Sequence, residues 1–164
     1  VLYFGRYTKE KGVLTLLQAA RDLPETPFVF AGDGECREQV ERCLNVKNMG
    51  FLQGEELQNV IAEARFCVIP SEWYENCPFS VMEAISYGTP VIGSNLGGIP
   101  ELVQDGNTGE LFEAGNVQML EDKIKALWEN HGKCERYTRN CHNQRFDSLA
   151  EYSDKLLILY NSNA

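Results

Sequence analysis

The chain has 164 residues, 43% of them apolar and 24% charged, and 15 basic against 24 acidic side chains leave a net charge of −9. That length and composition suit one globular domain with a real core and exclude a disordered or fibrous chain, while the acidic balance excludes a nucleic-acid surface. No apolar run approaches the roughly 20 residues of a membrane helix and no stretch reads as a signal peptide, so the expected location is cytoplasmic.

Val1-Leu-Tyr-Phe4 is a short apolar run closed by Gly5, which predicts a buried strand; because Val1 already stands inside it, the chain is expected to be a piece of a longer protein. Arg6 and Lys11 flank the following loop, and Val13, Leu14, Leu16 and Leu17 begin a helix running to about Pro24. Phe28-Val-Phe30 predicts a second strand ending at Gly32-Asp33-Gly34, followed by a helix to about Val46. Gly50-Phe-Leu52 is expected as a weak third strand, residues 55–64 as a helix with Leu57, Val60 and Ile61 inward, and Phe66-Cys-Val-Ile69 as a fourth strand stopped by Pro70. A helix over residues 81–87 ends at Gly88, Pro90-Val-Ile92 is the fifth strand, and Gly97-Gly98 tightens the next loop. Gly109-Glu-Leu-Phe112 predicts a sixth strand, residues 117–130 an amphipathic helix carrying Leu120, Ile124, Leu127 and Trp128, and the remainder to Tyr160 reads as helical. Short apolar strands alternating with longer helices imply an α/β fold, a Rossmann-like parallel sheet of about six strands with helices on both faces. Ligands of such sheets bind outside the carboxyl ends of the strands, where the loops at Gly5-Arg6, Gly32 to Gly34, Ser71 to Pro78 and Ser94 to Gly98 can converge.

The stretch from Glu72 to Glu83 reads as the chemical centre. Pro78 has no N–H and biases Cys77 away from helical dihedrals, so Glu75, Asn76 and Cys77 fall in a loop and a helix begins near Phe79 or Ser80. Free N–H groups at that start form an anion site suited to a diphosphate, leaving Glu75 and Glu83 to accept hydrogen bonds from hydroxyl groups. The competing structural reading is a capping box, since Ser80 and Glu83 have Ser-x-x-Glu spacing. Arg6 supplies a fixed fork of donors for phosphate and Lys11 a mobile point charge. Gly32-Asp33-Gly34 is not a dinucleotide fingerprint, because position 37 is Arg37 and the motif follows the second strand; it reads as a turn permitting close backbone approach. Cys36, Cys43, Cys67, Cys77, Cys134 and Cys141 contain no Cys-x-x-Cys pair and are expected as free thiols. His131, Cys134, Cys141 and His142 read as surface helix residues rather than a metal site, so no metal and no cofactor are expected.

Gly5-Arg6 with Lys11-Gly12, Pro70-Ser71, Glu75 to Glu83, Gly88-Thr-Pro-Val-Ile92, Gly97-Gly98-Ile-Pro-Glu101 and Asp105-Gly106-x-x-Gly109 together resemble the C-terminal, donor-binding domain of the GT-B retaining glycosyltransferases of family 4, over nearly the whole chain. The resemblance implies a domain at residues 1–164 that binds a nucleotide-diphosphate sugar, UDP-, GDP- or ADP-linked, and works with an N-terminal acceptor-binding domain that is missing here. Any contact with a membrane would be made through that absent half. It implies catalytic roles for Arg6, Lys11 and Glu75, with the diphosphate on Arg6, Lys11 and the backbone of Phe79 and Ser80, the ribose on Glu83 and the sugar on Glu75. Gly5, Gly32, Ser71, Asn76 and Gly98 complete the expected substrate-binding set. Cys77 and Pro78 depart from the family, which often has an aromatic residue and a glycine there. The chain contains no Asp-x-Asp metal motif. Two alternatives share the scaffold: a sugar-nucleotide epimerase-like domain, and a module that binds a nucleotide sugar without turning it over.

Overall fold

A computed structural model describes residues 1–162. Six strands, β1 (Leu2–Phe4), β2 (Phe28–Ala31), β3 (Val46–Asn48), β4 (Cys67–Ile69), β5 (Val91–Ser94) and β6 (Gly109–Phe112), form one sheet in the order β3-β2-β1-β4-β5-β6. Every pairing is parallel: Leu2 faces Val29 on one side and Cys67 on the other, and Ile92 faces Val68 and Glu110. The chain builds outward from β1 to β3, then returns to place β4 on the other flank of β1. That reversal puts a topological switch point between β1 and β4, where the loops leaving adjacent strands diverge and open a crevice.

Strand side chains alternate between two cores, as the period of two requires. Tyr3, Phe28, Phe30, Val68 and Ile92 pack with Leu16 and Leu17 of α1 (Val13–Asp22) and with Leu120, Ile124 and Leu127 of α6 (Val117–Glu129). Leu2, Phe4, Cys67, Ile69 and Val91 face the other way, onto Ile61 of α3 (Gly54–Glu63), Val81 and Ile85 of α4 (Phe79–Ser86) and Ile99 of α5 (Ile99–Leu102). Leu57 and Val60 pack against the second core, as the sequence spacing predicts.

Three expectations are corrected. The helix after Gly34 spans only Arg37–Glu41 (α2), and the third strand is Val46–Asn48 rather than residues 50–52. The cause is Asn45, whose two Nδ2 protons are shared among the carbonyls of Ala20 (2.7 Å), Leu23 (3.1 Å) and Thr26 (3.3 Å), anchoring the chain outside the helix just where β3 begins. Gly50 instead forms a turn at φ +69° and accepts a 2.7 Å hydrogen bond from the Gly32 N–H. Cys134 and Cys141 are not surface residues: α7 (His131–Asn143) runs under the amino ends of the strands, where their thiols donate to Arg65 O (3.1 Å) and Thr108 O (3.4 Å). Among the described residues no three His, Cys, Asp or Glu side chains are grouped as a metal site would need. The C-terminal helical segment α8 (Leu149–Ser162) exposes Leu157, Ile158 and Leu159.

Glu110 of β6 fastens this end of the molecule. Its carboxylate, 8% exposed, accepts from Lys123 Nζ (2.8 Å) on α6 and from Lys133 Nζ (2.6 Å) and Tyr137 OH (2.7 Å) on α7. Burial alone would raise its pKa, but the three donors outweigh it and hold the group at about 2, below the ordinary 4.5. A depressed carboxylate stabilises the fold fully above about pH 4.5 and progressively less as the pH falls toward 2; the shift corresponds to about 3 kcal/mol at neutral pH. Glu110→Gln is therefore expected to lower the urea midpoint at pH 7 and to flatten the loss of stability between pH 4.5 and 2. Matching pH profiles for parent and variant in urea titrations would remove this role from Glu110.

Candidate functional site

The crevice at the switch point has one wall from the loop after β1 and one from the loop after β4. Gly5 N–H donates to Ala31 O (3.0 Å) and Tyr7 N–H to Asp33 O (2.8 Å), so the first loop is fixed to the end of β2. Gly32 lies against it, with room for no side chain: a Cβ there would sit 1.9 Å from Gly5 O. The Gly32 backbone therefore packs directly on the first loop, where it also lines the crevice. The Arg6 guanidinium is exposed and makes no ion pair among the described residues, while Tyr3 OH donates to Arg6 O at 2.6 Å.

Lys11 ends a short 3-10 turn, and Gly12 (φ +69°) caps α1. A Cβ on Gly12 would fall 1.8 Å from Pro70 O, so only glycine lets the start of α1 reach the end of β4. That contact brings Lys11 to Glu75. Lys11 Nζ and Glu75 Oε1 form an ion pair across the crevice, and Ser71 Oγ lies 2.9 Å from the same oxygen. Ser71 Oγ is also 3.2 Å from Glu10 O, so its one proton serves either acceptor. Glu72 N–H donates to Glu10 O (2.9 Å), stitching the two walls together.

Helix α4 opens into the crevice. Its N-cap is Pro78, which offers no side-chain cap, and Ser80 sits inside the first turn instead of at the cap position. The capping box suggested by the Ser-x-x-Glu spacing is therefore absent. Phe79 and Ser80 N–H find no acceptor among the described residues, since the first helical bonds are Val81 N–H and Met82 N–H to Pro78 O (3.0 and 3.4 Å). Glu83 projects into the same chamber, and its pKa is raised solely by partial loss of water. An unpaired carboxylate beside uncapped N–H groups and a cation can receive hydroxyls and an anionic group together.

Three chambers with shared walls make up the crevice. One of about 210 Å³ is apolar, between Arg6, Gly32, Phe51, Leu52 and Leu57. A middle one of about 180 Å³ gathers Gly5, Lys11, Ser71, Glu75, Ser80 and Glu83. The third, about 500 Å³, lies between Arg6, Lys11, Glu75, Asn76, Trp73 and Tyr74. Depressions of about 360 and 350 Å³ at the amino ends of the strands are comparably roomy. Arg65, which lines both, is engaged by His131 Nε2 (3.2 Å) and the Trp128 ring (4.8 Å), and neither joins a cation and carboxylate to an open helix start.

Most expected site residues meet here, with two exceptions. The Phe79 side chain is 72% exposed and lines none of the three chambers, so only its backbone is available to them. Gly98 is buried behind the crevice: its N–H donates to Glu75 O (2.7 Å), and a Cβ there would lie 2.3 Å from Asn76 O. It shapes the carboxylate turn from outside. Phe51, Leu52, Leu57, Trp73 and Tyr74 line the chambers but lie outside the expected site: the sequence pattern places Leu57 on the core face of its helix and Phe51-Leu52 in a strand, and for Trp73 and Tyr74 the signal available was the placement of large aromatic residues in a strand-end loop.

A sequence profile of the glycosyl transferases group 1 matches residues 1–144. The sulfoquinovosyl transferase SQD2 of Arabidopsis thaliana is 36% identical over 133 residues, 77% of this chain and 26% of that protein. The alpha-D-kanosaminyltransferase of Streptomyces kanamyceticus is 28% identical over 85% of this chain and 39% of its own length. HepE of Anabaena, solved in complex with UDP and also with UDP-glucose, superposes with a TM-score of 0.84 at 25% identity over 98% of this chain and 48% of that one. The chain thus spans about half, or less, of these relatives.

The packing of Gly98 generates a test. Gly98→Ala is expected to cost about 1 to 3 kcal/mol by forcing the Asn76 carbonyl away, and to make the 72–77 loop a preferred site of limited proteolysis. Unchanged melting and an unchanged digestion pattern would show that the loop does not depend on that contact.

Proposed function

The chain belongs to the group 1 glycosyl transferases, and from that membership we propose that its crevice is the donor site of a GT-B enzyme of family 4 that transfers a sugar with retention of configuration. The observation that carries this reading is the middle chamber, where the uncapped start of α4, the Lys11 ammonium and the unpaired Glu83 carboxylate face one another. Such a set matches a nucleoside diphosphate: anionic at one point, hydroxylated a few ångströms away.

On this reading the base occupies the apolar chamber by Phe51 and Leu57, Glu83 accepts from the ribose hydroxyls, and the Phe79 and Ser80 N–H groups take the diphosphate with Arg6 and Lys11. Uridine is the proposed base, supported by the UDP and UDP-glucose complexes of HepE. Glu75 accepts from hydroxyls of the transferred sugar once Lys11 turns to the phosphates. In the reaction the bond from the anomeric carbon to the diphosphate oxygen breaks, and its electron pair leaves with that oxygen. The acceptor oxygen bonds to the anomeric carbon on the same face and gives its proton to the departing diphosphate. Arg6 and Lys11 stabilise the charge that develops there, an electrostatic role strengthened where water is excluded.

The acceptor and the closure that excludes water are assigned to a second, N-terminal domain, in keeping with the share of the relatives that this chain covers. A cytoplasmic setting is supported by six free cysteines, five of them buried. No helix among the described residues is long and apolar enough to cross a membrane.

Calorimetry with UDP and UDP-glucose tests the assignment. Arg6→Ala and Lys11→Ala should each weaken UDP binding by roughly 1.5 to 3 kcal/mol, the range for hydrogen bonds to charged groups. Glu83→Gln should weaken UDP while leaving melting unchanged, since no cap is lost. Glu75→Gln should spare UDP and reduce only the added affinity of UDP-glucose. Because Glu83 accepts as a carboxylate and its pKa is raised, UDP affinity should decline on acidification from above the ordinary carboxylate range. Parent-like affinities in all four variants would refute the donor site.

A further inference from the structure

Trp73 and Tyr74 precede Glu75 on the loop after β4 and are 64% and 75% exposed. The backbone that carries them is held on both sides. Glu72 N–H donates to Glu10 O (2.9 Å), Trp73 N–H to Ser71 Oγ (3.4 Å), and Glu75 O accepts from Gly98 N–H (2.7 Å). The two rings belong to neither core and, among the described residues, stack on no other ring and under no cation. Large aromatic surface left in water on an anchored loop gives nothing to folding, and its disposition suits contact with a ligand.

The chamber they line supplies the other half of the chemistry. Glu10, Glu75 and Asn76 line it with hydrogen-bonding groups, and Lys11, paired with Glu75, lines it too. A ligand filling it needs an apolar face for the aromatic rings and several hydroxyls at its edge for the acids and the amide. A pyranose ring has both, because its axial C–H groups form an apolar face and its equatorial hydroxyls point outward. An alkyl chain would leave the carboxylates unanswered. Resting on the donor-site reading above, we propose that Trp73 and Tyr74 form a stacking platform for a pyranose ring and are specificity-determining residues for the sugar at the Glu75 end of the crevice. The ring is the one transferred from the donor or one carried by the acceptor; both present the same face.

Two arms distinguish these sources. In the first, UDP and UDP-glucose are titrated into the parent chain and into Trp73→Ala, Tyr74→Ala and Trp73→Phe. The chain has two tryptophans, so the Trp73→Phe spectrum isolates the emission of Trp128 and, by difference, that of Trp73. A donor platform gives a change in Trp73 emission with UDP-glucose that UDP alone does not produce. It also gives a loss of about five- to tenfold in the affinity added by the sugar in each alanine variant, with UDP affinity unchanged and most of the gain kept in Trp73→Phe. In the second arm, methyl α-glucopyranoside and methyl β-glucopyranoside are added to the chain saturated with UDP-glucose. A further change in Trp73 emission there, abolished in Tyr74→Ala, assigns the platform to the acceptor ring. If the parent binds UDP but the alanine variants match it in both arms, the platform is wrong and the donor site stands. If the parent binds no UDP, both fall together.

Discussion

The crevice depends on one close approach, the van der Waals contact of Gly12 with the carbonyl of Pro70. It joins the start of α1 to the end of β4, elements that follow two neighbouring strands but are separated by more than fifty residues of chain. From this contact follow the stitch between Glu72 and Glu10, the meeting of Lys11 with Glu75, and the position of Ser71 beside both. Parallel order supplies the opening and glycine supplies the fit. Without a backbone free of Cβ at that point, the cation and the acid would stand on separate walls.

The Lys11–Glu75 pair has a meaning beyond holding the walls. Side chains 28% and 16% exposed are only partly desolvated, so the pair is neither a fully screened surface contact nor a costly buried one. It neutralises each group in the open crevice. On the proposed donor-site reading, a phosphate that drew Lys11 away would leave Glu75 an uncompensated acceptor, so that binding at one chamber would prepare the next. Ser71, able to donate to Glu75 or to Glu10 O, is placed to take up part of the change.

The sequence disclosed the fold where burial is strong. Strands such as Phe28–Ala31 and Val91–Ser94 are apolar because both faces are covered, and the pattern is readable at sight. Val46-Lys47-Asn48 escaped because an edge strand buries little and its pairing is set by Asn45, whose amide protons are shared among three distant carbonyls. Among the candidate site residues, Arg6, Lys11 and Glu75 could be placed at the crevice through charge and position after a strand, and Glu83 through its position in the helix that follows. The spacing of Ser80 and Glu83 misled about the cap, since Pro78 starts the helix two residues earlier than a serine cap requires. Gly32 and Gly98 were legible as special backbone but not as to what they approach, which only tertiary contacts decide. The role of Glu110 was invisible, because its three donors lie on two later helices.

The Glu110 cluster and the cysteine contacts of α7 lie at or toward the amino ends of the strands, away from the crevice. The side chains that fasten this end of the fold and those that line the crevice are therefore separate sets. Residues such as Trp73, Tyr74 and Phe51, which contribute little to either core, can be exchanged in the course of evolution with small cost to folding. If the crevice is the proposed donor site, one scaffold can in this way acquire new sugar preferences through loop substitutions alone, its stability held in reserve at the opposite pole.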